Sequence, residues 1–244
     1  MKQFGLIGHP LTHSFSKKYF DDKFIKEHIQ DASFSLWDIP NILELPQLIS
    51  SLQNLKGIAV TIPYKKDVIP YLHWMNDAVK AIGACNCILV KDQKLFGYNT
   101  DILGFQLSFM EHFQPHHKQA LILGAGGAAA GVEYVMQQLS IPYLNVSRNK
   151  GNERTILFEE LNERIITEYP IIINCTPLGT YPNVDDCPAL PYHLITPNHY
   201  FFDLVYNPAE TMFLRNGKEH GATIKNGYDM LVLQAEENWR IWNN

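Results

Sequence analysis

Glycines cluster near the middle of the chain at a spacing that suits phosphate binding. Gly124, Gly126 and Ala129 form a G-x-G-x-x-A pattern that follows a short apolar run and precedes a helix-forming stretch. Glycines permit a tight turn and let backbone N–H groups approach a pyrophosphate, and the start of a helix adds positive dipole. The turn Gly124–Gly127 therefore predicts a dinucleotide site. The alternative is a glycine-rich turn between two packed elements.

The residues after the next predicted strand indicate which dinucleotide binds. NAD sites usually place Asp or Glu there for the ribose 2′-hydroxyl, but residues 147–150 read SRNK and contain no acid. Arg148 offers a planar guanidinium, and its neighbours offer hydroxyl and amide donors. A 2′-phosphate is well matched by such groups, so NADP is favoured over NAD. The alternative is that Arg148 is a solvated loop cation.

Two serines lie in a polar loop that follows the first predicted strand. Ser14 and Ser16 are spaced so that a bent loop could direct both hydroxyls at one anionic group. Serines in loops more often form turns or helix caps, and Ser16 is a candidate N-cap for a helix that begins at Lys17. The pair alone does not separate these interpretations.

Three further polar residues could handle a proton or a hydroxyl group. Lys65 follows an apolar strand and would be partly desolvated, which suits proton transfer; otherwise it is a solvated lysine in the first turn of a helix. Asp101 precedes a helix predicted from Ile102 and is a candidate N-cap whose second oxygen could serve a ligand. Asn86 interrupts an apolar run, so its amide needs backbone or ligand partners.

Alternating strand and helix patterns surround these residues and predict an α/β fold. The predicted strands are Phe4–Gly8, Ser33–Ile39, Gly57–Ile62, Cys87–Val90 with Leu95–Tyr98 as a hairpin or a strand pair, Tyr143–Val146, Ile171–Asn174 and, as a further candidate, Thr155–Leu157. Three predicted helices are recognised by a stripe of residues on one face: Phe20, Phe24, Ile25 and His28 in the first, Leu45, Leu48, Ile49 and Leu52 in the second, and Val132, Val135, Met136 and Leu139 in the third. Four more are predicted over Val68–His73, Ile102–His112, Phe158–Glu168 and Met230–Trp242. His116 and His117 are interpreted as linker residues with diverging side chains.

Composition excludes several classes of protein. A net charge of −5 over 244 residues gives no basic surface for nucleic acid. No apolar run is long enough for a membrane helix, and the N-terminus does not resemble a signal peptide. Four sparse cysteines lack zinc-site spacing and indicate free thiols in a reducing cytoplasm. We expect a cytoplasmic protein with no metal.

Taken together, short motifs along nearly the whole chain resemble the shikimate dehydrogenase family. They occur in the family's order: HSxS at His13–Ser16, VTIPxK at Val60–Lys65, GxxN at Gly83–Asn86, GxNTDxxG at Gly97–Gly104, GAGGA at Gly124–Ala128, NCTPLG at Asn174–Gly179, DLVYNP at Asp203–Pro208, and GxxML with Gln234. The resemblance covers roughly residues 5–240.

The resemblance implies two domains and a reaction. Residues 1–103 with 228–244 would form a mixed-sheet substrate-binding domain, and residues 104–227 a Rossmann-like NADP-binding domain. The family reversibly reduces 3-dehydroshikimate to shikimate with NADPH, as part of aromatic amino acid biosynthesis. By this resemblance Lys65 is the proton donor and acceptor, and Asp101 assists it.

The resemblance also assigns binding residues. The substrate would contact Ser14, Ser16, Thr61, Asn86, Tyr206 and Gln234. Asp101 would also bind a ring hydroxyl. NADP would contact Gly124, Ala125, Gly126, Gly127, Ala128, Ser147, Arg148, Asn149, Leu204 and Gly227. Partners other than these small molecules are not expected, and a monomer and a homodimer both remain open.

This chain departs from the family at several positions. Ala59 and Lys17 replace the usual Asn and Pro, and the segment after Arg148 has no room for the full helix of longer members. Two other functions remain as alternatives: a quinate/shikimate dehydrogenase that uses NAD, and a non-catalytic sensor of NADP and a small acid. The lack of an acid after Val146 argues against the first, and the presence of both Lys65 and Asp101 argues against the second.

Overall fold

The computed structural model describes residues 1–11 and 14–244, which divide into two compact units. The first unit consists of Met1–Leu103 and Gln234–Asn244, and the second of Gly104–Leu233. Within the described residues, no helix is long and apolar enough to cross a membrane.

The first unit is a mixed sheet with helices. Its strands are β1 (Lys2–Gly8), β2 (Ala32–Asp38), β3 (Leu55–Val60), β4 (Trp74–Met75), β5 (Cys87–Lys91) and β6 (Lys94–Tyr98), in the order β2-β1-β3-β5-β6-β4. Its helices are α1 (Phe15–Lys26), α2 (Leu45–Ser51) and α3 (Asp77–Ile82). Strands β1, β2 and β3 are parallel, whereas β5 is antiparallel to both β3 and β6. The predicted hairpin and mixed sheet are confirmed.

Aromatic residues form a core of the first unit that includes the end of the chain. Helix α8 (Tyr228–Trp242) contributes Trp239 and Trp242, which pack against Phe4 with ring centroids 5.1 and 5.3 Å away. The indole N–H of Trp242 donates to the carbonyl of Ile88 at 3.0 Å. A Cβ at Gly57 would lie 2.3 Å from the Trp242 ring, so this strand position needs glycine for the indole to reach the sheet.

The second unit has a parallel sheet. Helix α4 (Asp101–Met110) enters it from the first unit, and β7 (Ala120–Leu123), α5 (Gly127–Gln138), β8 (Tyr143–Ser147), β9 (Thr155–Leu157), α6 (Glu163–Glu168), β10 (Ile171–Asn174), β11 (Tyr200–Asp203), α7 (Met212–Glu219) and β12 (Thr223–Lys225) follow. The strand order is β12-β11-β10-β7-β8-β9, and every pairing is parallel. This is the dinucleotide-fold order, in which the direction of winding reverses between β7 and β10.

One connection in this sheet is unusually short. Strands β8 and β9 are parallel neighbours, yet only residues 148–154 join them, and this fully described segment contains no helix. Parallel strands normally need a crossover of a dozen or more residues. The structure agrees with the expectation that the full helix does not fit after Arg148.

Several local predictions were wrong. Ile25 is exposed and His28 lies beyond the end of α1 with a left-handed φ of 56°, so only the two phenylalanines of that predicted stripe are buried. Predicted helix Val68–His73 is a 3₁₀ turn over Ile69–Tyr71. Predicted helix Phe158–Glu168 is divided into a 3₁₀ turn, Phe158–Glu160, and α6.

His117 lies in the linker between α4 and β7, as predicted, but the expected divergence of the His116 and His117 side chains was wrong. The His117 side chain is buried at 3% exposure and stacks on the Tyr200 ring at a centroid distance of 5.5 Å. The His116 ring lies 4.2 Å from it rather than diverging. The burial of the His117 side chain could not be predicted from the sequence, because neither histidine belongs to a periodic apolar pattern.

Candidate active site

A lysine–aspartate pair lies in the first unit. Lys65 Nζ donates to Asp101 Oδ2 at 2.7 Å, and the two side chains are 34% and 29% exposed. Both groups are therefore partly withdrawn from water and still accessible to a ligand. Asp101 is the first residue of α4 rather than the residue before it, so the helix begins one residue earlier than predicted.

The ends of β3 and β5 position this pair. Beyond β3, the backbone N–H of Thr61 donates to the carbonyl of Ile7 at 3.0 Å, and the N–H of Cys85 donates to the carbonyl of Lys65 at 2.7 Å. A Cβ at Gly8 would lie 2.5 Å from Thr61 Cγ2. Backbone hydrogen bonds thus hold Thr61 to the end of β1 and Lys65 to the residues that precede β5.

Asn86 lies beside the same strand ends and fixes the start of α4. Its carbonyl accepts from the N–H of Val60 at 2.8 Å, and its side-chain Oδ1 accepts from the N–H of Thr100 at 2.7 Å. Its Nδ2 donates to the Thr100 hydroxyl at 3.0 Å. These bonds satisfy the expectation that a buried amide needs partners, and they fix the residue that precedes Asp101.

The two serines lie at the start of α1. Ser14, not Ser16, is the N-cap of α1, and its hydroxyl accepts from the N–H of Lys17 at 3.3 Å. Ser16 lies inside the first turn and is half-buried. The prediction of Ser16 as the cap was wrong by two residues because Phe15 already has helical geometry. His13 of the HSxS motif lies outside the described residues.

The glycine turn has the geometry of an anion cradle. Gly124 has a φ of 110°, and a Cβ there would lie 3.2 Å from the Thr176 side chain. Apart from the adjoining residues and the backbone of the same helix, no described atom lies within 4 Å of a Cβ built at Gly126 or Gly127. Gly126 is the N-cap of the twelve-residue helix α5, and no described side chain caps that helix end. Its backbone N–H groups and dipole therefore suit a pyrophosphate.

Ala125 and Ala128 belong to the same turn and the first turn of α5. The turn follows β7 and lies next to Cys175 and Thr176 after β10, because a Cβ at Gly124 would be 3.5 Å from the Cys175 backbone. These are the carboxyl ends of the two strands between which the winding direction reverses. Ligands of open α/β sheets bind at that position.

The end of β8 and the residues after it contain the side chains that are predicted to bind the 2′-phosphate of NADP. Ser147 is buried, its hydroxyl donates to the carbonyl of Asn149, and it accepts from the N–H of Asn149 at 3.2 Å. Arg148 and Asn149 are exposed. The serine thus closes a local turn that leaves the guanidinium accessible. These groups and the open glycine turn together fit an NADP molecule.

Leu204, Tyr206 and Gly227 belong to the second unit. The N–H of Gly227 donates to the carbonyl of Val205 at 3.2 Å, and a Cβ at Gly227 would lie 2.3 Å from the carbonyl oxygen of Leu204. Gly227 and Leu204, both assigned to NADP, are therefore adjacent. Tyr206 is 41% exposed.

Sequence analysis missed the residue that anchors this segment. The buried Asp203 carboxylate accepts from Thr211 Oγ1 at 2.5 Å, Asn174 Nδ2 at 2.9 Å and the N–H of Val205 at 3.0 Å. Burial raises the Asp203 pKa to about 6, and these hydrogen bonds oppose the rise. Asp203 and Asn174 begin two of the family motifs, which was the available signal.

Two further residues connect predicted site residues of the first unit. Thr100 donates to Asn238 Oδ1 at 2.7 Å, and Asn238 Nδ2 donates to Gln234 Oε1 at 3.3 Å. The four-residue helical spacing between Gln234 and Asn238 was a signal that could have revealed the second contact.

Three of the cysteines, Cys85, Cys87 and Cys175, are unsuited to nucleophilic chemistry. All four cysteines are free thiols, and burial raises the pKa of Cys85 to about 11 and that of Cys87 and Cys175 well above the ordinary range. The thiols of Cys85, Cys87 and Cys175 are therefore protonated at neutral pH, whereas the thiolate is the nucleophile. Within residues 1–11 and 14–244, no three His, Cys, Asp or Glu residues are grouped as a metal site.

Comparison with known proteins identifies relatives over nearly the full length. Residues 6–88 match the family model described as shikimate dehydrogenase substrate binding domain. The chain is 38% identical to the shikimate dehydrogenase (NADP(+)) of Clostridium beijerinckii, over 99% of this chain and 92% of that protein.

Solved structures give the same result. A shikimate 5-dehydrogenase from Thermus thermophilus, in complex with NADP(H) and shikimate, superposes with a TM-score of 0.85 and 28% identity, covering 99% of this chain and 93% of that one. A shikimate 5-dehydrogenase from Listeria monocytogenes, in complex with shikimate and NAD, has a TM-score of 0.87 and 25% identity, covering 100% and 92%.

Proposed function

Because the chain belongs to the shikimate dehydrogenase family, we propose that it catalyses the reversible, NADPH-dependent reduction of 3-dehydroshikimate to shikimate in aromatic amino acid biosynthesis. The observation that carries this proposal is the Lys65–Asp101 pair, with its 2.7 Å bond and partial burial. A lysine ammonium held beside a carboxylate can give a proton to an oxygen and recover it in the reverse reaction.

The cofactor supplies hydride when it is bound. The residues that would hold it are the glycine turn with Ala125 and Ala128, the group Ser147, Arg148 and Asn149, and Leu204 with Gly227. Arg148 is the group that we assign to the 2′-phosphate, because guanidinium pairs with phosphate oxygens in a bidentate way. The open space above Gly126 supports close backbone approach to the pyrophosphate.

The residues that we assign to the substrate have three separate roles: binding its carboxylate, binding its ring hydroxyls and transferring a proton. Ser14, Ser16 and Thr61 would hold the carboxylate, and Asn86, Asp101 and Gln234 the ring hydroxyls, with Tyr206 as a further contact. Lys65 Nζ would donate its proton to the carbonyl oxygen as negative charge develops there. Asp101 would keep the lysine oriented. We propose residues 1–103 with 228–244 as the substrate domain and 104–227 as the NADP domain.

The direct test is a spectrophotometric assay of the purified protein with shikimate and NADP, in which we expect reduced nicotinamide to accumulate. Parallel assays with quinate and with NAD compare kcat/KM for the alternative dehydrogenase. No absorbance change, despite binding of both ligands, would indicate the non-catalytic sensor instead.

The assignment of Lys65 has a matched control on the next residue. Lys65→Ala should lower kcat by about 10²–10⁴ with a small effect on KM, because the proton is needed in the transition state. Lys66→Ala, which removes an exposed lysine, should retain normal kcat. Near-normal turnover by the Lys65 variant would refute the assigned role.

The chemistry of the residues also supports a cytoplasmic location and small-molecule partners. Free thiols are typical of reducing compartments. A monomer and a homodimer are both compatible with the proposed reaction.

A further inference from the structure

Four buried polar side chains of the first unit form a continuous hydrogen-bonded row. We name it the amide row, and its members are Asn86, Thr100, Asn238 and Gln234. Each is at most 7% exposed. The bonds run from Asn86 Nδ2 to Thr100 Oγ1 at 3.0 Å, from Thr100 Oγ1 to Asn238 Oδ1 at 2.7 Å, and from Asn238 Nδ2 to Gln234 Oε1 at 3.3 Å.

The hydrogen bonds of the amide row all run in the same donor-to-acceptor direction, from Asn86 towards Gln234. The Thr100 hydroxyl has a single proton, and its contact with Asn238 Oδ1 at 2.7 Å is shorter than that with Asn86 Oδ1 at 3.3 Å. Asn86 Oδ1 instead accepts from the Thr100 N–H at 2.7 Å. Because Asn238 accepts through Oδ1, its Nδ2 faces Gln234. The bonds thus fix which end of each amide is oxygen.

The ends of the row are residues that we assign to the substrate. Asn86 and Gln234 come from distant parts of the sequence, and Asn238 joins Gln234 to the Asn86–Thr100 pair across one helical turn of α8. Buried polar groups are costly unless each is bonded. An orientation of Gln234 that breaks this bond would leave the Asn238 donor unpaired, so Asn238 restricts the side chain that meets the ligand.

We propose that Asn238 is a positioning residue for substrate binding. It holds Gln234 by its Oε1, so that the Nε2 donor of Gln234 meets a hydroxyl oxygen of the substrate ring. Asn238 itself does not touch the substrate. This inference rests on the proposed function, in which Gln234 contacts shikimate.

Two substitutions separate the parts of this role. Asn238→Ala removes both bonds of the side chain, whereas Asn238→Asp keeps the acceptor for Thr100 and removes the donor to Gln234. We expect each to raise the Kd of shikimate about 5–20-fold, the size of one lost hydrogen bond. The Kd of NADP and kcat should change less than about twofold, because the lost interaction is equally present before and during reaction.

A double-mutant cycle tests whether the effect passes through Gln234. In a Gln234→Ala background, Asn238→Ala should change the shikimate Kd less than about twofold. Asn243→Ala, which removes an exposed amide of the same unit, is the matched control and should bind normally. Calorimetry measures each Kd, and thermal unfolding identifies any variant that is not folded.

The outcomes are distinguishable. Normal shikimate affinity of a folded Asn238→Asp protein would overturn the inference, even if the alanine variant failed to fold. Equal effects of Asn238→Ala with and without Gln234 would overturn it as well, because they would show that Asn238 acts elsewhere. If the unaltered protein neither binds nor oxidises shikimate, the proposed function fails, and this inference fails with it.

Discussion

The buried imidazole of His117 should make the protein sensitive to acid. Its Nδ1 accepts from the N–H of Gln114 at 2.9 Å, and its ring is stacked on Tyr200. Burial, helped by the nearby His116 and His199 and opposed by a hydrogen bond with the backbone of Asn198, lowers the His117 pKa to about 4. An unfolded chain has the ordinary value of about 6.5.

The two pKa values of His117 determine how the free energy of unfolding changes with pH. Above pH 6.5 the imidazole is neutral in both states and has no effect on the pH dependence. Below pH 6.5 the unfolded chain takes up a proton that the folded protein does not, so the free energy of unfolding falls as the pH falls. The loss is about 2 kcal/mol at pH 5 and about 3 kcal/mol at pH 4, where the folded protein also begins to titrate.

Asp203 acts in the opposite direction over the same range. Its pKa is raised to about 6 in the folded protein, so the folded state takes up a proton before the unfolded chain does. Acidification from about pH 6 to pH 4 therefore stabilises the protein through this group. The total pH profile mixes both residues, and only a comparison of variants isolates His117.

The substitution His117→Asn isolates it, because the Asn oxygen can replace Nδ1 as acceptor without titrating. Urea unfolding followed by tryptophan fluorescence gives the free energy of unfolding of both proteins at pH 7, 5 and 4. The unaltered protein should lose about 3 kcal/mol more than the variant between pH 7 and pH 4. His116→Asn, at the exposed neighbour, should retain most of that loss. Equal pH slopes for the His117 variant and the unaltered protein would refute the reasoning.

Three further predictions concern the cofactor site and the core. Gly126→Ala should change the free energy of unfolding by no more than about 1 kcal/mol and should raise the Kd of NADP at least about tenfold. Gly227→Ala should instead lower the melting temperature, because its Cβ would lie 2.3 Å from a backbone carbonyl oxygen. Equal effects of the two variants on both measurements would contradict the assignment of the glycine turn to NADP. Arg148→Gln should raise KM for NADP about 10–100-fold, the range for a lost charge-assisted bond, with KM for NAD unchanged, and an equal rise for both cofactors would argue against 2′-phosphate binding. Gly57→Ala should destabilise the fold by about 1–3 kcal/mol, because the new Cβ would overlap the ring of Trp242; urea unfolding would show no change if the indole can move at no cost.

The sequence was sufficient for the elements whose pattern is strong. The apolar runs of β7 and β10 and the glycines between β7 and α5 indicated the Rossmann-like unit, and the structure has its strand order. The sequence around β5 and β6 predicted a hairpin or a strand pair, and the two strands form the hairpin. In these segments the local sequence pattern and the tertiary packing agree, so a short stretch of sequence is enough to predict the element.

Predictions failed where neighbours distant in sequence decide the outcome. Ser14 and Ser16 have equal capping chemistry, and only the backbone at Phe15 determines that Ser14 is the cap. Asn238 looks like a surface residue of a helix, but it is 2% exposed because Thr100, far away in the sequence, packs against it. Conversely, Ile25 fits the helical stripe and is nevertheless exposed.

The division of the chain has a consequence for the order of synthesis. Trp239 and Trp242, which complete the aromatic core of the first unit, come after the whole of the second unit in the chain. At the usual rate of translation, the ribosome needs on the order of 10 s to make residues 104–233. During that interval Phe4, Phe20 and Phe34 lack their indole partners, so the second unit can finish folding before the first. The nascent chain would then expose an unfinished aromatic surface to the cell's chaperones, although that unit was made first.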